Sequence, residues 1–285
     1  MIKESELILN PDGSIYHLNL RPEQIAHTVI TVGDPERVER VTRHFDRVDV
    51  KVSKREFCTH TGELNGTRLT VISTGIGTDN IDIVFNELDA LVNIDLEKRT
   101  LKEAQTSLNL IRIGTSGCLQ EDLPIDCWLA SRYSVGYDGL LNFYESDAVR
   151  NEAWETDLDF VAGMKPYVVN GSEKLIKSLA DDLEQGFTAT CTGFYGPQGR
   201  QLRLPPKVAD LLDKLKGVKP GGNRITNFEM ETAGIYGLAA LLGHEALSLN
   251  VLIANRARGE FSKDPVASVD GLIERTLDKL TNKPS

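Results

Sequence analysis

Cysteine is scarce, and its pattern is uninformative for metal or disulfide chemistry. The four in 285 residues are Cys58, Cys118, Cys127 and Cys191. No two stand at C-x-x-C spacing, and no histidine sits at metal-ligand spacing from any of them. That excludes a zinc ribbon or a disulfide scaffold and leaves four thiols expected to stay free in a reducing compartment. Long apolar runs are missing as well. None approaches the ~20 residues that cross a bilayer, and Met1–Asn10 lacks the basic start and apolar stretch of a secretory signal. A cytoplasmic location is expected. Basic charge is in deficit, with Lys+Arg 32 against Asp+Glu 42 and a formal net charge of −10. Neither nucleic acid nor an anionic membrane is therefore expected as a partner. An anionic ligand would need a local basic pocket in an otherwise acidic molecule.

What is present is an alternation of short apolar runs and helical periodicities, with no linker, repeat or low-complexity tract. His27–Gly33, Leu69–Ser73, Leu108–Gly114, Trp128–Val135, Phe187–Thr192, Ile225–Phe228 and Leu247–Ala254 read as strands, and residues 50–64 as an extended or hairpin segment. Helices are expected after Asp34–Pro35, over 81–92, 175–183, 206–215, 230–242 and 269–280. Residues 93–106 read as an irregular insertion or a helical extension, and 142–168 as loops and short elements. The fold class is α/β: a single-domain three-layer sandwich spanning 1–285, with a central mixed, largely parallel sheet and helices on both faces. Ligands in such sheets sit at the carboxyl ends of strands. That rule directs attention to 33–37, 74–77, 112–117, 194–200, 229–231 and 255–256.

Gly33 admits a ligand close to the backbone, and the helix that follows presents free N–H groups to an anion. Arg37 lies one turn in. Arg112 interrupts an apolar strand, so burial demands a partner, either a structural carboxylate or an anionic ligand. The adjacent Thr115 hydroxyl and small glycines favour the ligand, since a planar fork suits phosphate. Arg55 alone would read as surface charge, Met230 as core filler and Glu231 as a helix N-terminal carboxylate.

Taken together, V-G-D-P-E-R-V (32–38), R-E-F (55–57), S-T-G-I-G (73–77), R-I-G-T-S-G (112–117) and F-E-M-E-T (228–232) resemble the nucleoside phosphorylase family, in its uridine phosphorylase branch. The resemblance runs from about His17 to Arg256. It implies that Gly33, Arg37, Arg112 and Thr115 hold phosphate and that Arg55 reaches the phosphate site of a neighbouring subunit. It further implies that His17 touches the ribose 5′-hydroxyl across that interface, while Met230 and Glu231 hold the ribose. Residues 193–200 resemble the uracil-binding loop F-x-x-x-Q-x-R. A glutamine amide offers a donor and an acceptor in one plane, matching uracil N3–H and a carbonyl. Gln198 and Arg200 are thus expected at the base edge, Phe194 as a flat wall and Glu229 beside them. Arg112, Gln198, Arg200 and Glu231 form the expected catalytic set.

Purine-cleaving relatives usually carry an Asp after the strand near Ile253. Here Ala254–Asn255–Arg256 has none, which favours a pyrimidine. Some relatives bind potassium through Glu56-like and Ile76-like positions, but Asn80 stands where their serine ligand would be, and no metal is expected. The implied activity is phosphorolysis of uridine or a related pyrimidine nucleoside. Inorganic phosphate is the co-substrate, no cofactor is needed, and the assembly is a homodimer or a hexamer built from dimers. The alternatives are a purine nucleoside phosphorylase or hydrolase, and a non-catalytic nucleoside-binding protein.

Overall fold

The computed structural model describes residues 1–161 and 163–281. After an N-terminal segment, the chain runs β1 (Thr28–Val32), α1 (Pro35–Thr42), β2 (Arg47–Lys54), β3 (Phe57–Leu64), β4 (Thr67–Ser73) and α2 (Thr78–Asn93). It continues with β5 (Ile94–Asp95), β6 (Thr100–Leu101), β7 (Asn109–Cys118), β8 (Trp128–Tyr137), α3 (Glu152–Glu155), β9 (Tyr167–Asn170) and α4 (Glu173–Leu179). The last part is β10 (Glu184–Cys191), α5 (Leu211–Gly217), β11 (Ile225–Glu229), α6 (Thr232–Leu242), β12 (Glu245–Asn255), β13 (Glu260–Phe261) and α7 (Pro265–Thr281).

Eleven strands form one mixed sheet in the order β13-β12-β8-β10-β11-β7-β1-β4-β3-β2, with β9 on β8. β1 is flanked in parallel by β4 and β7, and β12 lies parallel to β7 over a long register. The β2–β3–β4 edge is antiparallel. Because β7 pairs with both β12 and β11, and β8 with both β12 and β10, five strands close into a ring: β7-β12-β8-β10-β11. The α/β class with a mixed sheet follows from the alternation in the sequence. The closure does not, since it depends on pairings between residues more than a hundred positions apart.

Helices α1, α4 and α7 cover one face, packing Val38, Val41, Leu175, Ile176, Leu272 and Ile273 against β1, β4, β7 and β12. On the other face α2 and α6 pack together, with Phe85, Leu88, Ile235 and Leu238 in a shared core. α6 is apolar all round because it is enclosed on all sides. Among the described residues no helix is long and apolar enough to cross a membrane.

Several boundaries differ from expectation. Within residues 93–106, Asn93 ends α2, β5 and β6 pair as a small antiparallel hairpin, and 102–106 are irregular. α4 stops at Leu179 and excludes Leu183, because Ala180 leaves the helical region and the chain turns into β10. α5 begins at Leu211 rather than Pro206. β7 runs on to Cys118, where it gains β11 as a partner.

Candidate active site

The strand ends meet in one cavity of about 710 Å³. Gly33 ends β1, Gly75 and Ile76 follow β4, 114–117 form the outer part of β7, Glu229–Glu231 join β11 to α6, and Ile253–Ala254 close β12. Ten of the twelve expected site residues line it: Gly33, Arg37, Arg112, Thr115, Phe194, Gln198, Arg200, Glu229, Met230 and Glu231. The other two, His17 and Arg55, do not line the cavity of their own chain.

At one end Asp34 caps α1 by accepting from the Glu36 N–H at 2.9 Å, and Pro35 occupies the first turn. The helix thus starts where Gly33 leaves the strand, and it carries Arg37 inward. Arg37 Nη1 donates to the Ile113 carbonyl at 3.3 Å, but its Nε is buried with no partner, and no carboxylate among the described residues pairs with it. Burial, and next the neighbouring Arg112, pull its pKa down to about 10. A half-buried guanidinium without an ion-pair partner can receive an anion.

Arg112 is different. Its Nη2 donates to Glu231 Oε2 at 2.6 Å and lies 3.3 Å from Glu229, while Nη1 donates to Asn250 Oδ1 at 2.8 Å. Of the two partners open from sequence, the structure holds carboxylates. Arg112 still lines the cavity, only 7% exposed. Its side chain lies across Gly114, where a β-carbon would fall 2.1 Å from Nη1 and 2.4 Å from Cζ. That is the steric reason for glycine two residues after the arginine.

Glu231 Oε1 accepts from the Gly77 N–H at 2.9 Å, a geometry that Gly77 reaches at φ 97°. Burial raises the Glu231 pKa, opposed by Arg112. Glu231 therefore sits between the arginine pair and the open cavity, beside half-buried Met230. Glu229, expected at the base, lines the cavity with its carboxylate engaged by the protein. Its Oε2 accepts from the N–H groups of Glu231 and Thr232, both at 2.9 Å, and its Oε1 accepts from Thr190 Oγ1. It caps α6 and balances Arg112, and both oxygens are committed.

At the other end Gln198 is 2% exposed. Arg200 Nη1 donates to Gln198 Oε1 at 2.6 Å and to the Phe194 carbonyl at 2.6 Å, and its guanidinium stacks 3.6 Å from the Phe194 ring centroid. The amide plane is thus fixed, and no described residue accepts from Gln198 Nε2. Arg200, like Arg37, has its pKa lowered to about 10, by burial and then by Arg256. The strand-end rule directs attention to 255–256 but gives Arg256 no role. Arg256 donates to the Gln198 backbone carbonyl, and its stem packs beside Arg200 over Gly117. Asn255 is structural: its side chain donates to the Gln120 and Leu123 carbonyls and accepts from the Ala257 and Arg258 N–H groups.

Arg55 is exposed at the tip of the β2–β3 hairpin at φ 56°, a left-handed conformation unusual for a residue other than glycine. His17 lies on the N-terminal segment, held by Glu87 of α2. Asn80 donates to Glu56 Oε1 at 3.3 Å on the rim of the cavity.

A closed α/β core with a cavity basic at both ends and a carboxylate between them is the architecture of a glycosyl-transferring enzyme that handles an anion. The chain belongs to the Phosphorylase superfamily, whose family model matches residues 27–281. It is similar to the uridine phosphorylase of Thermococcus kodakarensis, 31% identical over 258 residues that cover 88% of this chain and 81% of that one. A nucleoside phosphorylase of Trypanosoma brucei that shows uridine phosphorylase activity superposes with a TM-score of 0.87 at 27% identity, covering 97% of this chain and 100% of that one. Similarity extends to a purine nucleoside phosphorylase of Vibrio cholerae, 25% identical over 267 residues, 93% of this chain and 95% of that one. The nucleoside phosphorylase family and its uridine branch, expected from the motifs, stand.

Proposed function

We propose that residues 1–285 form one nucleoside phosphorylase-like domain that cleaves uridine, or a related pyrimidine nucleoside, to uracil and ribose 1-phosphate. The observation that carries this reading is Arg37: a half-buried guanidinium with an orphaned Nε and no carboxylate, beside Arg112 and across one cavity from Gln198 and Arg200. A water-using hydrolase has no need of that uncompensated charge. Phosphate supplies it, and needs no cofactor to act as nucleophile.

In this mechanism Gly33, Arg37, Arg112 and Thr115 hold phosphate beneath ribose C1′, and Arg55 joins them from a second copy of the chain. Positioning turns a bimolecular attack into an effectively intramolecular one. Glu231 and Met230 hold the ribose, with the carboxylate accepting from its 2′- and 3′-hydroxyls. As the bond from C1′ to N1 lengthens, C1′ gains oxocarbenium character and the uracil gains negative charge. Gln198 and Arg200 stabilise that charge electrostatically, and the stacked Phe194–Arg200 pair walls the ring. The commitment of Asn255 to loop carbonyls supports a pyrimidine, because no acid stands there to protonate a purine. The exposed Arg55 and the position of His17 outside its own cavity support a homodimer, or a hexamer of dimers; the free cysteines support a reducing compartment such as the cytoplasm.

The test is release of free base from uridine, thymidine and inosine, with and without phosphate. Phosphate-dependent release from a pyrimidine nucleoside is expected. Release that ignores phosphate, or that favours inosine, overturns the proposal.

A further inference from the structure

His17 is a partly exposed surface residue, yet both its backbone N–H and its ring are held by one carboxylate. The Glu87 carboxylate, on α2 and itself mostly buried, takes the His17 backbone N–H at 3.0 Å on each oxygen. It takes the Leu18 N–H at 2.9 Å and lies 2.6 Å from His17 Nδ1. The Tyr16 ring stands edge-on to the imidazole at 4.8 Å between centroids. The segment carrying His17 is itself tied down: the Ile2 N–H donates to the Arg99 carbonyl at 2.7 Å, and the Arg99 guanidinium reaches the Leu7 carbonyl. Arg99 belongs to the turn between β5 and β6, so the 94–101 hairpin anchors the N-terminal segment.

A carboxylate can only accept, so the proton of a neutral His17 must reside on Nδ1. Nε2 is then left with a lone pair, and no described residue occupies it. We infer that Glu87 is a positioning residue for the reaction: it fixes the tautomer and direction of His17 so that Nε2 presents an acceptor to a neighbouring copy's cavity, selecting nucleosides whose 5′ position carries a hydroxyl donor. This rests on the reading above, in which His17 meets the ribose 5′-hydroxyl across an interface. A 5′-deoxynucleoside offers no donor to that lone pair, and a 5′-phosphate offers an anion that the acceptor repels.

The experiment compares kcat/KM for uridine and 5′-deoxyuridine in the full-length protein, in Glu87→Gln, in His17→Ala and in the double variant. Glutamine can donate to Nδ1 and so place the proton on Nε2. The wild-type preference for uridine is expected to be about tenfold, the scale of one hydrogen bond in a desolvated site, and to fall toward unity in Glu87→Gln. His17→Ala should erase the same preference, and the double variant should lose nothing more. If His17→Ala erases the preference and Glu87→Gln keeps it, the role of Glu87 is overturned. If neither changes it in an enzyme that cleaves uridine, the cross-subunit role of His17 falls and takes this inference with it. Absence of phosphate-dependent base release in the wild type defeats the underlying reading before any variant is made. Nitrogen NMR of the wild type gives a check independent of any variant's folding: a His17 ring protonated on Nε2 alone would refute the assignment.

Discussion

Gly114→Ala deletes the geometry of Arg112 while leaving its charge in the chain. The added methyl would sit 2.1 Å from Nη1, 2.4 Å from Cζ and 2.7 Å from Nη2. Such contacts are cheap where a flexible side chain can withdraw, but here the guanidinium is held by Glu231, Asn250 and the nearby Glu229. Two exits remain. If the guanidinium leaves its pocket entirely, Glu231 and Glu229 are stranded as buried carboxylates, and breaking a buried pair in this way costs ~3–5 kcal/mol. If it swings into the cavity, the fold is spared but the guanidinium occupies the space assigned to phosphate and ribose. Either way at least one charged hydrogen bond to phosphate is lost, worth ~1.5–3 kcal/mol. That corresponds to roughly a ten- to 150-fold fall in kcat/KM for phosphate. The assay is initial-rate phosphorolysis over a phosphate titration, paired with a thermal unfolding midpoint. A lowered midpoint identifies the first exit and an unchanged one the second. Wild-type kcat/KM for phosphate in a well-folded Gly114→Ala protein would refute the reasoning that Arg112 acts from its present position.

Arg37→Ala is expected to behave in the opposite sense on stability. It removes an uncompensated half-buried charge, so the unfolding midpoint should hold or rise while the KM for phosphate climbs ~10–100-fold, the worth of a charged hydrogen bond. A fallen midpoint with an unaltered phosphate KM would make Arg37 structural. Arg200→Ala should reduce kcat/KM for uridine by the ~2–4 kcal/mol typical of one donor to a developing anion, with the phosphate KM little changed. An unaltered rate with uridine would remove Arg200 from the base site.

The placement of Arg37 and Arg112 at one end of the cavity was legible because its signals are local. Asp34, Pro35 and Arg37 are set by one helix start, and Arg112 and Gly114 by the alternation of one strand. The partners of Glu229 are not legible in the sequence, because they are the first N–H groups of a helix whose start, two residues beyond the expected Met230, cannot be read to that precision from periodicity. The strand-end rule points to 255–256 but not to the role of Arg256, because its contact with Gln198 joins the end of β12 to a loop nearly sixty residues earlier, and no pattern within either segment announces it. The 93–106 stretch was unreadable for another reason. β5 and β6 have two residues each, too few for any alternation to show.

Closure of β7, β12, β8, β10 and β11 into a hoop bears on how new substrates could be acquired. An open sheet can splay at its edge to admit a bulkier guest, but a hoop has no free edge there, and opening it would break one of its ladders. The width of the hoop is therefore set by backbone hydrogen bonds. Attempts to enlarge the accepted base by directed evolution should accumulate changes in the 193–200 turn and around Phe261, and leave the hoop's own residues untouched.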